Sequence, residues 1–342
     1  MGDMNENGVI GLDIGGANLK AVHSNGCVRC VPFALWERPS ELPAALRSLL
    51  DALPSANRLA ITMTGELCDC FATKAEGVNT ILDAVSTATD PKRVRVFQTD
   101  GRFVSVDAAR AEFMKTAAAN WLALATLAAR ECGRGLLIDI GSTTTDIIPL
   151  RTAAAVPRGR TDPERLATGE LVYSGVRRTP LCALIRKVPW RGGHCRVAAE
   201  VFATTLDVYL HTGDLPENPD DCGTADRRPA TRAAARARLA RMICADQTLV
   251  SDADVDAIVA TAVQAQIDVL RTACGEVSKT LGSAPDTIVV SGSGEFLAER
   301  LVDVWPSSPP KIVALSSRYG PSESAAACAY ALVQIAPEEA WP

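Results

Sequence analysis

Apolar residues in this chain gather into short runs that stop at glycine, and two of these runs share one design. Residues 8–22 (GVIGLDIGGANLKAV) read as an apolar strand, a glycine turn and a second strand. Residues 135–150 (GLLIDIGSTTTDIIPL) repeat the order of apolar run, Asp-Ile-Gly, small polar residues and apolar run. Asp13 and Gly15 hold in the first the places of Asp139 and Gly141 in the second. Two such units, far apart in the chain, predict a duplicated domain rather than one continuous sheet.

The pattern elsewhere fills in the elements. A helix is expected over 39–53, a buried strand over 58–67, and a strand over 93–104 that breaks at Asp100-Gly101. The Ala-rich stretch 107–131 predicts one long helix, with Asp107 as its N-cap and Gly133 as its stop. Residues 151–195 are irregular and rich in Arg, Pro and Gly; a helix over 196–211 and a polar loop over 213–230 follow. The basic segment 231–246, with Arg232, Arg236, Arg238 and Arg241, reads as a solvated helix face opposite Leu239, Met242 and Ile243, its rival reading being an anion clamp. Ser251 and Asp254 open a helix over 251–282 as a capping box. A strand, a glycine-serine turn and a helix start occupy 287–301, a strand 311–317, and a closing helix 320–334 with Pro321 near its first turn. Strands alternating with helices make this an α/β protein with covered sheets.

Bulk properties narrow the setting. A length of 342 residues suits two cores better than one. The net charge of −5 offers no concentrated basic face, so no nucleic-acid partner is expected. The polar N-terminus (MGDMNENG) lacks a leader's apolar run, and Glu6 stands where a myristoylation signal needs Ser or Thr. No stretch is long and apolar enough to suggest a membrane, and a cytoplasmic location is expected. Eleven scattered cysteines read as reduced, packed thiols; Cys27/Cys30 and Cys68/Cys70 lack the second pair or the histidines of a zinc site.

The candidate chemistry lies in the glycine turns. Gly15, Gly16, Ala17 and Asn18, and likewise Gly141, Ser142, Thr143 and Thr144, can turn backbone N–H groups toward a phosphate and let it approach closely. Asp13 and Asp139 would repel a bare phosphate, but with Mg2+ between them they become anchors for the metal, usually through water. Lys20 and Asp146 hold equivalent later positions, one to neutralise phosphate and one to orient a water or metal. A third turn, Gly292-Ser293-Gly294, allows a ligand to lie against the backbone at the start of a helix.

This three-part arrangement resembles the actin-like ATPase superfamily of sugar kinases, Hsp70 and actin. More closely, the chain resembles the hydantoinase/oxoprolinase-like family linked to tetrahydromethanopterin-dependent one-carbon transfer. The likeness covers nearly the whole chain and rests on GLDIGGANLKA (11–21), MTGELCDCFATKAEGV (63–78), EFMKTAAANWLA (112–123), LIDIGSTTTDIIPL (137–150), TGELVYSGVRRTPL (168–181), AAEVFATTLDVYLHTGDLPE (198–217), RLARMICAD (238–246) and VVSGSGEF (289–296). Where the family leads one to expect Thr-Ala-Asp-Gly-Arg-Pro, this chain reads TADRRP (224–229).

The resemblance implies two related ribonuclease H-like domains around a cleft: residues 1–133, closed by the helix at 320–342, and 134–319 with an insertion around 151–246. It implies a transferase of methanofuran biosynthesis that joins an aminomethyl-furan-methyl diphosphate to the phenol of a (glutamyl)tyramine or tyrosine and releases pyrophosphate. Asp13 and Asp139 would position Mg2+. Gly15, Gly16, Asn18, Ser142, Thr143, Thr144, Gly292, Ser293 and Gly294 would cradle the diphosphate, with counter-charge from Lys20 or Lys74. Asp146 and Glu66 are candidate bases, and Asn120, Tyr173, Arg177 and Arg178 candidate acceptor contacts. Two rivals stand beside this reading: an ATP-dependent kinase or hydantoinase/oxoprolinase-like enzyme, and a non-catalytic nucleotide-binding module. A homo-oligomer is left open.

Overall fold

The computed structural model describes residues 8–303 and 310–341. Residues 1–7 of the polar N-terminal stretch, Glu6 among them, lie outside the described residues.

Two mixed sheets repeat one another. The first contains β1 (Val9–Ile14), β2 (Asn18–His23), β3 (Val28–Pro32), β4 (Arg58–Met63), β5 (Val94–Phe97) and β6 (Phe103–Val104), in the order β3-β2-β1-β4-β5-β6. The second contains β7 (Arg134–Ile140), β8 (Thr145–Arg151), β9 (Ala154–Ala155) and β10 (Leu171–Val172); β11 (Lys187–Trp190) and β12 (Gly193–Arg196) form a separate hairpin; β13 (Thr287–Ser291) and β14 (Lys311–Ala314) complete the second sheet, ordered β10-β8-β7-β13-β14 with β9 on β8. In each sheet an antiparallel hairpin, β1-β2 or β7-β8, is followed by two parallel strands, β4-β5 or β13-β14. The echo in sequence is an echo in topology.

Helices cover both sheets. On the first, α1 (Leu42–Asp51) and α2 (Lys74–Ala88) bury their apolar stripes against Ile10, Leu12, Ile14 and Ile61. The stretch expected as one helix over 107–131 is three: α3 (Val106–Ala111), α4 (Phe113–Thr116) and α5 (Asn120–Ala128). Ser105, not Asp107, caps the first by accepting from the Ala108 N–H, and the last helical turn ends at Glu131, so Gly133 stops nothing. The break falls where Ala117 is extended and Ala118 is left-handed (φ 47°), which turns the chain so that α5 enters between the sheets.

In the second half come α6 (Asp162–Thr168), α7 (Leu181–Leu184) and α8 (Thr205–Thr212). The helix expected over 196–211 therefore starts late, because Thr204 and Asp207 form its capping box. α9 (Arg232–Arg241) is the basic segment: Arg232 is exposed and Leu239 and Met242 are buried, as a solvated face opposite an apolar one requires, but Arg238 is not on that face. Arg238 is wholly buried and pairs with Asp207 (2.7 Å) and Asp226 (3.0 Å), while Arg241 also reaches Asp226 (3.1 Å). The long α10 (Asp252–Ser278), with the expected Ser251/Asp254 capping box, and α11 (Glu295–Asp303) complete this side. The strand expected over 311–317 gives way after Ala314 to α12 (Leu315–Tyr319), then α13 (Pro321–Ala325) and α14 (Ala327–Ile335).

The layer between the sheets is made of α5 and α14. Their Trp121, Leu124, Ala331 and Leu332 share a core with Val9 and Ala60 of the first sheet and Leu137, Ile148 and Val289 of the second. Gly11 of β1 lies so close to α14 that an added Cβ would collide with the Ala329 carbonyl. Among the described residues, no helix is long and apolar enough to cross a membrane.

Candidate active site

Strand alternation places the acidic residues. Along β1, Ile10, Leu12 and Ile14 face the outer helices, so Val9, Gly11 and Asp13 face the inner layer. Along β7, Leu136, Ile138 and Ile140 face outward, and Leu137 and Asp139 inward. Both aspartates thus point into the gap between the sheets, where each strand ends. Residues directly opposite in an antiparallel pair share a face. Register therefore sets Lys20 beside Asp13 and Asp146 beside Asp139.

The turns close in the same way. The Gly15 N–H donates to the Asn18 carbonyl (3.0 Å), and the Gly141 N–H to the Thr144 carbonyl (2.9 Å). Each turn is backed by another segment that takes its carbonyls. Leu35 and Phe33 N–H groups donate to Gly16 and Ala17 (2.9 and 3.0 Å); Val176 donates to Gly141 and both Arg177 and Arg178 to Ser142 (3.0 Å each). A trans peptide sets N–H opposite C=O. Carbonyls turned to the backing segment therefore aim the N–H groups of Ala17, Asn18, Ser142 and Thr143 at the cleft. Gly175 permits this on the second turn: an added Cβ would lie 2.5 Å from the Gly141 carbonyl oxygen and the Thr143 nitrogen.

The cleft has a volume of about 710 Å3 and brings together Asp13, Gly15, Gly16, Asn18, Lys20, Lys74, Asn120, Asp139, Ser142, Thr143, Thr144, Asp146, Tyr173 and Arg178. Glu66, weighed in the sequence as a base, lines it as well. Burial pushes the Asp13 carboxyl up, with Lys20 opposing. Burial and the neighbouring Asp146 push Asp139 up to about 7. Lys20 is pulled down by burial, but the fields of Asp13 and Asp139 outweigh this and the net push is upward.

Several expected roles change. Asp146 is bound to the buried Arg165 guanidinium, which itself lies 4.2 Å from the Trp121 ring, so its carboxylate anchors rather than orients a water. Lys74 is paired with Asp162 at 2.8 Å. Arg177 is turned away to Asp221 and does not line the cleft. Arg178 stays at the rim, over the Trp36 ring at 5.1 Å. Gly292, Ser293 and Gly294 do not line the cleft either. Gly292 (φ +89°) instead leaves room for Asp139, whose Oδ1 would lie 2.7 Å from an added Cβ, and Gly294 packs on Ile140 and Val176. Glu295, at the start of α11, accepts from Ser316 and Ser324 and ties α11 to the segment beyond β14. Cys68 and Cys70 lie in the loop after β4 rather than on strands, and Cys68 lines the cleft below Gly16.

Trp36, Asp162, Arg165 and Cys328 were not foreseen. Thr161 and Glu164 do carry a capping box, with Pro163 at the second helical position, that announces α6; the pairing of Arg165 with Asp146 has no local signal. Among the described residues, no three His, Cys, Asp or Glu side chains converge as a metal cage. The donor set that exists is two inward aspartates, and the buried Asp13 Oδ1 has no hydrogen-bond partner. That suits magnesium, which keeps several waters and takes further oxygens from substrate phosphates.

Residues 58–335 match the model of the hydantoinase/oxoprolinase family. A protein of Methanocaldococcus jannaschii named (4-{4-[2-(gamma-L-glutamylamino)ethyl]phenoxymethyl}furan-2-yl)methanamine synthase is 30% identical over 334 residues, 96% of this chain and 97% of that one. A protein of the same name from Methanococcus vannielii is 33% identical over 192 residues, 56% of this chain and 85% of its own. The structure of a MamK double helical filament matches with a TM-score of 0.50 at 11% identity, over 97% of this chain and 100% of that one. An archaeal actin homolog matches with a TM-score of 0.44 at 15% identity, over 96% and 98%. The repeated sheets with helices between them form the actin-like ATPase fold. Matched along most of its length by the family model, and along nearly all of it by a relative, the chain belongs to the hydantoinase/oxoprolinase family.

Proposed function

We propose that this protein is a transferase of methanofuran-type cofactor biosynthesis, condensing an aminomethyl-furan-methyl diphosphate with the phenol of a (glutamyl)tyramine or tyrosine acceptor. The relatives' printed name describes a furan joined through a phenoxymethyl ether to a glutamylaminoethyl chain. The observation that carries the reading here is the pair of repeated turns aiming N–H groups into one cleft, with Asp13 and Asp139 facing between them.

In this reading the N–H groups of Ala17, Asn18, Ser142 and Thr143 hold the diphosphate, and Lys20 adds positive charge beside them. Asp13 and Asp139 hold Mg2+, which when bound neutralises charge gathering on the leaving group. The furan ring stabilises positive charge on its exocyclic carbon. The carbon–oxygen bond to diphosphate breaks with the electron pair leaving on pyrophosphate, and the phenolic oxygen forms the new bond. Fixed dipoles placed where charge develops lower the barrier without reorganising. At the rim, Trp36, Tyr173 and Arg178 offer an aromatic and cationic edge for the acceptor.

The test is incubation with the furan-methyl diphosphate, Mg2+ and candidate phenols, following pyrophosphate and the mass of the ether. Ether and pyrophosphate in equal amounts, both abolished by Asp13→Ala and Asp139→Ala, are expected. Productive ATP turnover without ether would favour a kinase or an ATP-dependent family activity instead. Unchanged pyrophosphate release in both variants would remove the site.

A further inference from the structure

We infer that Glu66 is the catalytic base of this condensation, accepting the phenolic proton as the acceptor oxygen attacks the furan-bearing carbon. The inference rests on the function proposed above. Its first support is position. Thr64 and Gly65 both donate backbone N–H groups to the Ile14 carbonyl (3.0 and 3.1 Å), which fastens the segment leading to Glu66 against the first turn. From the other side, Gly77 in α2 presses so closely on the Glu66 backbone that an added Cβ would collide with it. Glu66 is thereby fixed on the cleft wall through its backbone, with Oε2 of its carboxylate left unpaired.

The second support is the unpaired oxygen of that carboxylate. The residue is only 1% exposed, yet Oε2 has no hydrogen-bond partner. A buried polar atom left unpaired is costly and calls for an explanation, and this one lines the cleft. The other acids of the cleft are already committed or hydrated. Asp146 holds Arg165, Asp162 holds Lys74, Asp13 and Asp139 face the diphosphate turns, and Asp69 is exposed. The charges facing Glu66 are Lys74, which favours its ionised form, and Asp162 and Asp13, which oppose it. Burial outweighs both the hydrogen bond from the residue's own backbone N–H and the charge of Lys74, and pushes the carboxyl up to about 7, which makes it a stronger base than an ordinary carboxylate.

The step balances. The phenol O–H breaks, its proton passes to Glu66, the oxygen's electron pair forms the C–O bond, and pyrophosphate departs with the electrons of the bond that breaks. No redox partner enters.

Glu66→Gln keeps the shape and removes the base. It is to be compared with wild-type protein across a series of phenols, from tyramine-like acceptors to nitrated analogues that are already ionised at the assay pH. With a tyramine-like phenol the variant should form ether roughly 100-fold more slowly, and for pre-ionised phenols the deficit should shrink to about tenfold or less. Glu66→Asp should show a smaller deficit with the same dependence, which serves if the glutamine variant folds poorly. Asp146→Asn should show a deficit that ignores phenol acidity. An equal Glu66→Gln deficit across the series, or none, overturns the role of Glu66 while leaving the synthase intact. Wild-type protein that makes no ether from any phenol overturns the function itself.

Discussion

Lys74 Nζ and Asp162 Oδ2 meet at 2.8 Å across the cleft, joining the first turn of α2 beside one sheet to the first turn of α6 beside the other. Both side chains are about one-fifth exposed (20% each), so the pair is neither a free surface bridge nor a sealed one. A double-mutant cycle with Lys74→Met and Asp162→Asn should give a coupling of about 1 kcal/mol in urea unfolding, falling as salt is raised. Additive single effects would mean the two halves are not held together here.

Glu66 should make the protein less stable as pH rises. Its folded pKa of about 7 lies above the ordinary 4.5. Between those values the folded chain keeps a proton that the unfolded chain has lost, so stability present below pH 4.5 is lost as pH climbs to 7 and is then level. Glu66→Gln removes that slope. The variant should match wild type near pH 4 and exceed it by up to roughly 3 kcal/mol at pH 8. Denaturant melts at the two pH values check this. A variant both more stable and less active identifies a residue kept for chemistry.

Gly175 should tolerate no side chain. Gly175→Ala drives a methyl into the Gly141 carbonyl and the Thr143 N–H, the backbone of the second turn. The expected cost is about 1–3 kcal/mol of stability, with a raised KM for the diphosphate and a smaller change for the phenol. Thermal melts and substrate titrations read the two parts separately.

Arg227 should gain from becoming glycine. It stands where the family pattern leads one to expect Gly, its side chain is exposed, and its backbone is left-handed (φ 57°). A non-glycine residue there costs roughly 1–2 kcal/mol, part of which glycine gives back through chain entropy. Arg227→Gly should therefore raise the urea midpoint by an amount worth about 0.5–1 kcal/mol. Neighbouring Asp226, which holds Arg238 and Arg241, would keep its place.

The hairpins and their aspartates were legible because their information is local. An apolar run, an acid and a glycine turn lie within a few residues, and strand period alone then sends Asp13 and Asp139 inward. The Gly292–Gly294 turn is ambiguous in the sequence because a glycine beside a helix start fits two purposes. Here it makes room for Asp139 instead of a ligand. The break at Ala117–Ala118 has no local mark, since alanine is the best helix former, and only the need to bring α5 between the sheets opposes it. Arg165 and Arg238 look like surface charges until Asp146 and Asp207 arrive from elsewhere in the chain. Charges whose partners are remote are the least readable part of such a sequence.

The contact between Gly11 and the Ala329 carbonyl also orders events in time. The strands of the first sheet end at Val104, but the helix that covers their inner face is Ala327–Ile335. At ordinary elongation rates the ribosome needs roughly 10–45 s to reach it. Throughout that interval Val9 and Ala60 have no α14 to lie against. This half of the molecule is made early and finished late, so a nascent chain halted before residue 327 should depend on chaperones in a way the released protein does not.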